Sequence, residues 1–144
     1  MATERTASVV WNGDLMSGSG TIGKVGSGAF GPLDVSWASR AEEPNGKTSP
    51  EELIAAAWSA CFAMALSNGL AKGGTAPERL ETSATVTFQP GQGLIKGALT
   101  ARGTVPGLDD AGFTAAAQDA VQNCPVSKAL AGIPDVSLEA TLVG

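Results

Sequence analysis

The chain has 144 residues, an apolar fraction of 43%, 9 Lys and Arg against 14 Asp and Glu, and no His. It is long enough for one domain with its own core, and its net charge of −5 lacks the basic patch that nucleic acid or an anionic membrane surface needs. Without histidine there is no Ser-His-Asp or Cys-His catalysis and no His-ligated metal, so any general base must be a carboxylate, a lysine or a thiolate.

The start, Met1-Ala2-Thr3-Glu4-Arg5, is polar and carries no signal-peptide core. The expected compartment is the cytoplasm, where thiols rest reduced. Ser8 to Trp11 is a short apolar run closed by the turn dipeptide Asn12-Gly13, and 21–25 and 33–37 are two more short strand candidates. Glycines punctuate the whole stretch, which reads as a β-meander. Gly18 to Gly23 and Gly26 to Gly31 both match G-x-G-x-x-G. That pattern signals dinucleotide binding only between a strand and a helix, and no helical periodicity follows either match. Hairpin turns are the simpler reading.

Residues 40–47 read as a polar loop with Pro44, Asn45 and Gly46. Ser49-Pro50-Glu51-Glu52 then opens a helix: Ser49 as N-cap, Pro50 at the first helical position and Glu52 closing a capping box. No charge follows until Lys72, and Gly73-Gly74 ends the helix. Its length would suit a membrane span. However, alanine dominates, Ser59, Ser67 and Asn68 interrupt, and no basic flank precedes it. A helix apolar on every face in a soluble protein is buried on every face. A small domain can hardly wrap about 30 Å of it alone. A second copy of the chain is expected to supply part of the cover.

Residues 80–88 alternate, with Leu80, Thr82, Ala84, Val86 and Phe88 on one face. After the turn Gln89-Pro90-Gly91-Gln92-Gly93, residues 94–105 form the hairpin partner, with Ile95, Gly97, Leu99 and Ala101 sharing a face. Asp109 or Asp110 caps a second helix running to about Asn123, with Phe113, Ala116, Ala117, Ala120 and Val121 on its apolar face. Cys124-Pro125 opens a short third helix with Gly132 beyond its end, and 136–143 is a final strand. The order predicts one α+β domain over 1–144, with helices covering antiparallel sheet.

Cys61 and Cys124 are the chemically notable residues. A free cysteine usually behaves as a small buried hydrophobe. Cys124, however, sits at an N-cap, where a thiolate is favoured. Cys61 lies in the middle of the apolar helix, where burial would leave it inert unless a cation is brought to it. Arg40, just before that helix, is a candidate cation, and Glu51 is available to hold it.

The run from Ser49 to Leu66, S-P-E-E-L-I-A-A-A-W-S-A-C-F-A-M-A-L, resembles the signature helix of the OsmC/Ohr family, the osmotically inducible protein C and organic hydroperoxide resistance proteins. Asn123-Cys124-Pro125-Val126-Ser127 resembles its second cysteine motif, and Val105-Pro106-Gly107-Leu108-Asp109 its lead-in to the second helix. The resemblance covers nearly the whole chain. It implies an intertwined homodimer and a thiol peroxidase acting on organic hydroperoxides and, less well, hydrogen peroxide. It also implies Cys61 as peroxidatic thiolate, Cys124 as resolving thiol, Arg40 as activating cation and Glu51 as its anchor. The place of Arg40, shortly before the signature helix, matches the OsmC branch. No cofactor is implied; an external dithiol reduces the disulfide. Glu51 and Cys61 lie ten residues apart on one helix, about 15 Å along its axis. An arginine anchored by Glu51 is therefore expected to serve the Cys61 of the other subunit. Trp37, Trp58, Phe62 and Met64 are candidates for an apolar substrate entrance, though each fits a core position at least as well. Two other readings stay open: a non-catalytic redox sensor, and a structural or ligand-binding domain with inert thiols.

Overall fold

The computed structural model describes all 144 residues. They form two compact units, Met1–Leu53 and Ile54–Gly144.

In the first unit, β1 (Val9–Asn12), β2 (Ser19–Ile22) and β3 (Leu33–Val35) make an antiparallel sheet in that order. The meander is as expected, but β2 is displaced toward the N-terminus. At Gly26 the backbone N–H turns to Thr6 O instead of continuing the ladder. Neither glycine-rich match opens a helix; Gly28 and Gly31 take positive φ in turns. The third strand is also shorter than expected. It stops at Val35, and Ser36 caps a short helix, α1 (Trp37–Ala41). The Ser36 hydroxyl accepts from Ser39 N–H, and Ser39 Oγ accepts from Ser36 N–H, a reciprocal box. Buried Ser39 also donates to Thr48 O at 2.9 Å, fastening α1 to the returning loop. Arg40 therefore sits on a helix and not in the loop expected for it.

The long helix, α2, runs from Pro50 to Lys72. Ser49 Oγ accepts from Glu52 N–H as a cap should. The Glu52 carboxylate accepts from the Thr48 hydroxyl instead of closing the expected box.

The second unit holds the rest of α2 with β4 (Arg79–Gln89), β5 (Gly93–Thr104), α3 (Asp110–Asn123), α4 (Pro125–Ala129) and β6 (Asp135–Leu142). The sheet order is β4-β5-β6. The β4–β5 hairpin is antiparallel, but β6 runs parallel to β5, so the sheet is mixed and not wholly antiparallel. The crossover through α3 and α4 carries the chain back before β6 begins, as a parallel neighbour requires.

Trp58, Phe62, Leu66 and Leu70 recur every fourth residue and form the buried stripe of α2. They meet Leu99 and Ala101 of β5 and Phe113, Ala117, Ala120 and Cys124 from α3 and its end in one core. Two strand glycines make room for the rings. A Cβ on Gly97 would lie 2.5 Å from the Trp58 ring, and one on Gly103 would lie 2.6 Å from the Phe113 ring. Within this chain α2 is buried along that stripe and not on all faces; Ala56, Ala57, Ala60, Met64 and Asn68 are exposed.

Candidate active site

The second unit places the two cysteines together. Cys61 lies one residue before Phe62 of the buried stripe and is half-buried, whereas Cys124, at the junction of α3 and α4, is fully buried. Cys61 packs against the core that contains Cys124, each thiol shifts the other's ionisation, and both are free. Cys61 opens onto a cleft of about 520 Å³ whose wall includes Met64, Asn68 and Lys72 of α2 and Asp119 and Asn123 of α3.

The environments of the two sulfurs differ in sign. Burial pushes the Cys61 thiol up, Cys124 pushes it further, and the backbone N–H of Val126 offsets part of this. Burial acts in the same direction on Cys124. There it is outweighed by the hydrogen bond with Cys61 and by the Ser127 N–H, the Ser127 hydroxyl and the Val126 N–H, so that thiol falls below its ordinary value. Charge in the pair accordingly favours Cys124, and the proton favours Cys61. A peroxide can reach only Cys61, so an anionic Cys61 needs a cation brought to it.

The first unit fixes a cation of its own. Arg40 Nε donates to Glu51 Oε1 at 3.0 Å and Nη2 to Oε2 at 2.9 Å, a planar two-point pair. Glu51 is 7% exposed, while the Arg40 side chain remains 33% exposed. The guanidinium is thus fixed in orientation but open on one side. α1 and the first turn of α2 carry the pair, held by the Ser39–Thr48 bond. Arg40 also lines an apolar cleft of about 330 Å³ with Trp11, Ile22, Val35, Trp37 and Leu53.

Of the expected entrance residues, Trp37 lines the cleft beside Arg40 and Met64 lines the cleft at Cys61. Trp58 and Phe62 are core, at 1% and 0% exposure. Two residues went unread in the sequence. Trp11 lines the cleft beside Arg40. Ser127, three residues after Cys124, accepts from Trp58 Nε1 at 2.7 Å.

Residues 43–139 match the family model described as OsmC-like protein. The chain is 37% identical over 133 residues to Peroxiredoxin OsmC of Escherichia coli K12, covering 90% of this chain and 92% of the relative. A solved organic hydroperoxide resistance protein from Elizabethkingia anophelis aligns with TM-score 0.69 at 26% identity, covering 98% of this chain and 99% of the other. An OsmC-like protein from Mycoplasma pneumoniae shares the fold with TM-score 0.74 at 15% identity over the full length of both chains. With the matched family model spanning most of its length and a relative named OsmC at this identity, the chain belongs to the OsmC family, on its OsmC branch.

Proposed function

We propose that the protein is a cysteine-based peroxidase that reduces organic hydroperoxides, and hydrogen peroxide less well, to alcohols or water. The carrying observation is the contact between a half-buried sulfur facing a cleft and a fully buried sulfur behind it.

The Cys61 thiolate attacks the distal oxygen of the hydroperoxide, the O–O bond breaks, and an alkoxide leaves and takes a proton. Cys61 becomes a sulfenic acid. Cys124 then attacks that sulfur, expels hydroxide as water and closes a Cys61–Cys124 disulfide. An external dithiol returns both sulfurs to thiols.

Arg40 supplies the positive charge, with Glu51 holding its fork. Both lie on one chain, so the pair acts as a unit. The ten residues from Glu51 to Cys61 along α2, about 15 Å of helical rise, support delivery of the pair to the Cys61 of a second subunit. The exposed small-residue face of α2 supports a homodimer of single OsmC-like domains, 1–144. As the guanidinium approaches, ionisation shifts from Cys124 to Cys61, and the reachable sulfur becomes the nucleophile. The same guanidinium faces the departing alkoxide. The apolar cleft with Trp11 and Trp37 offers the alkyl group a place beside it. The reaction needs no metal or organic cofactor, and the setting is the cytoplasm, in defence against oxidative and osmotic stress.

One assay tests this. One equivalent of cumene hydroperoxide should consume two thiols rapidly, and excess dithiothreitol should sustain turnover. Slow oxidation without turnover would favour a redox sensor, and unreactive thiols would leave a structural domain.

A further inference from the structure

The cleft beside Arg40 is lined wholly by the first unit, and one face of the small sheet forms part of its wall. Direct cross-strand partners share a face. Trp11 opposes Gly20, Gly20 opposes Val35, and Val9 opposes Ile22, so these residues stand on one side. In the row that holds Trp11 the middle position has no side chain, and the indole occupies the space. A Cβ on Gly20 would lie 2.6 Å from Cε3 of Trp11 and 3.0 Å from a methyl of Val35. The six-membered ring therefore packs directly on the Gly20 backbone. The five-membered ring is tied down as well, because Nε1 donates to Gly13 O at 3.0 Å. Trp11 is thus held at two points although it is 38% exposed. A wall already in place spares a ligand the cost of ordering it. The indole N–H is the side chain's one polar group and is engaged, so the ring offers a ligand only hydrocarbon and π-face. Trp37 lines the same cleft, Ile22 and Leu53 add aliphatic surface, and Arg40 is the one charged residue of the lining. With a volume of about 330 Å³, the cleft suits a ligand with an aromatic body and an acceptor oxygen at one end.

We infer that Trp11 is a specificity-determining residue: its fixed indole takes the aryl group of an aralkyl hydroperoxide while the peroxide oxygens lie at Arg40. This rests on the peroxidase reading above and names the class of hydroperoxide preferred. An aromatic pair contributes beyond the burial of its area, so an aryl group gains more from this wall than a compact alkyl group does. Hydrogen peroxide has no hydrocarbon to place and gains nothing from it. The preference for aryl over small peroxides therefore resides in the first unit, and it can be removed without altering either sulfur.

The first test needs neither turnover nor a variant. The chain has three tryptophans, so 5-fluorotryptophan labelling gives three fluorine NMR resonances in the full-length protein. Single Trp→Phe proteins assign them. The probe is 2-phenyl-2-propanol, the alcohol that cumene hydroperoxide leaves and one that cannot oxidise a thiol. It should shift the Trp11 and Trp37 resonances saturably and leave that of core Trp58 in place. tert-Butanol should do so only at about tenfold higher concentration. Absence of a saturable shift at Trp11 overturns the inference, as does equal affinity for the two alcohols. In the second test, Trp11→Leu keeps an apolar side chain and loses the ring. It should lower the rate constant for Cys61 oxidation by cumene hydroperoxide about tenfold and leave that for hydrogen peroxide unchanged. Equal loss with both peroxides, or no loss with either, overturns the inference. If 2-phenyl-2-propanol binds at Trp11 but neither peroxide is reduced, the peroxidase reading fails and the aryl site stands. If both peroxides are reduced and the alcohol leaves Trp11 undisturbed, the aryl site fails and the peroxidase reading stands.

Discussion

Under the proposed mechanism, replacing Arg40 by lysine separates two tasks of the cation at Cys61. One is to ionise the thiol. From an ordinary thiol, full ionisation near neutral pH gains about thirtyfold, roughly 2 kcal/mol. Burial and Cys124 hold Cys61 above that ordinary value, and each unit of rise adds about tenfold to the possible gain. Lysine keeps the charge and so keeps much of this effect. The other task is to stabilise the departing alkoxide with a donor fixed in direction. Loss of one such donor costs about 10²–10³ in rate. Arg40 is fixed by two bonds to Glu51, at 3.0 and 2.9 Å. An ammonium cannot reproduce that fork. Arg40→Lys should therefore lower the rate constant for Cys61 oxidation by about a hundredfold while shifting its pH midpoint little. The 7% exposed Glu51 would also be left with a carboxylate oxygen short of a donor, at about 1–3 kcal/mol of stability. Stopped-flow oxidation by cumene hydroperoxide across the thiol range, with urea unfolding in parallel, measures both effects. If the variant reaches the wild-type rate once its thiol is fully ionised, the arginine acts through ionisation alone and the alkoxide argument is wrong.

Further outcomes follow from the same contacts. Arg40→Met removes the cation and leaves burial and Cys124 to set the Cys61 thiol; a raised thiol stays protonated at neutral pH, so its oxidation rate should climb as pH rises past the ordinary thiol range, and a plateau near neutrality would contradict this. Cys124→Ser should still consume one equivalent of hydroperoxide but stop at a sulfenic acid on Cys61 that dimedone traps; absence of the adduct would count against Cys61 as the attacking sulfur. Gly97→Ala and Gly103→Ala would each press a methyl about 1 Å inside carbon contact distance against a buried ring, from 2.5 Å and 2.6 Å, and should each cost about 1–3 kcal/mol in urea unfolding.

Much of this architecture is legible in local signals. The Ser49-Pro50 start of α2, the alternation of β4 and β5, and an aspartate cap on α3 at 109 or 110 each rest on chemistry within a few residues, and the structure has them all, with Asp109 as the cap. The short α1 escapes the same reading because its box closes with Ser39, where the usual partner is Glu or Gln. The direction of β6 escapes it because alternation reports which face is buried and not which way the neighbouring strand runs. The burial of α2 is overestimated because hydropathy counts every apolar face, whereas one chain supplies cover only for the stripe from Trp58 to Leu70. At the site, residue types and spacing single out Cys61, Cys124, Arg40 and Glu51. The N-cap place of Cys124 also points to it as the better-stabilised anion, the direction found in the structure, but does not say that it is the fully buried one. Its burial depends on how α3 meets α4, which no local signal reports.

Completion of each Cys61 by the Arg40–Glu51 pair of the other subunit is best tested by complementation. Arg40→Met and Cys61→Ser chains, each inactive as purified, are co-expressed with different tags, and the heterodimer is isolated. Cumene hydroperoxide turnover with dithiothreitol is then measured. The shared arrangement predicts recovery of about half the wild-type rate, one intact site of the two in a symmetric dimer. A heterodimer as inactive as its parents would place Arg40 and Cys61 in the same chain's site and contradict the arrangement.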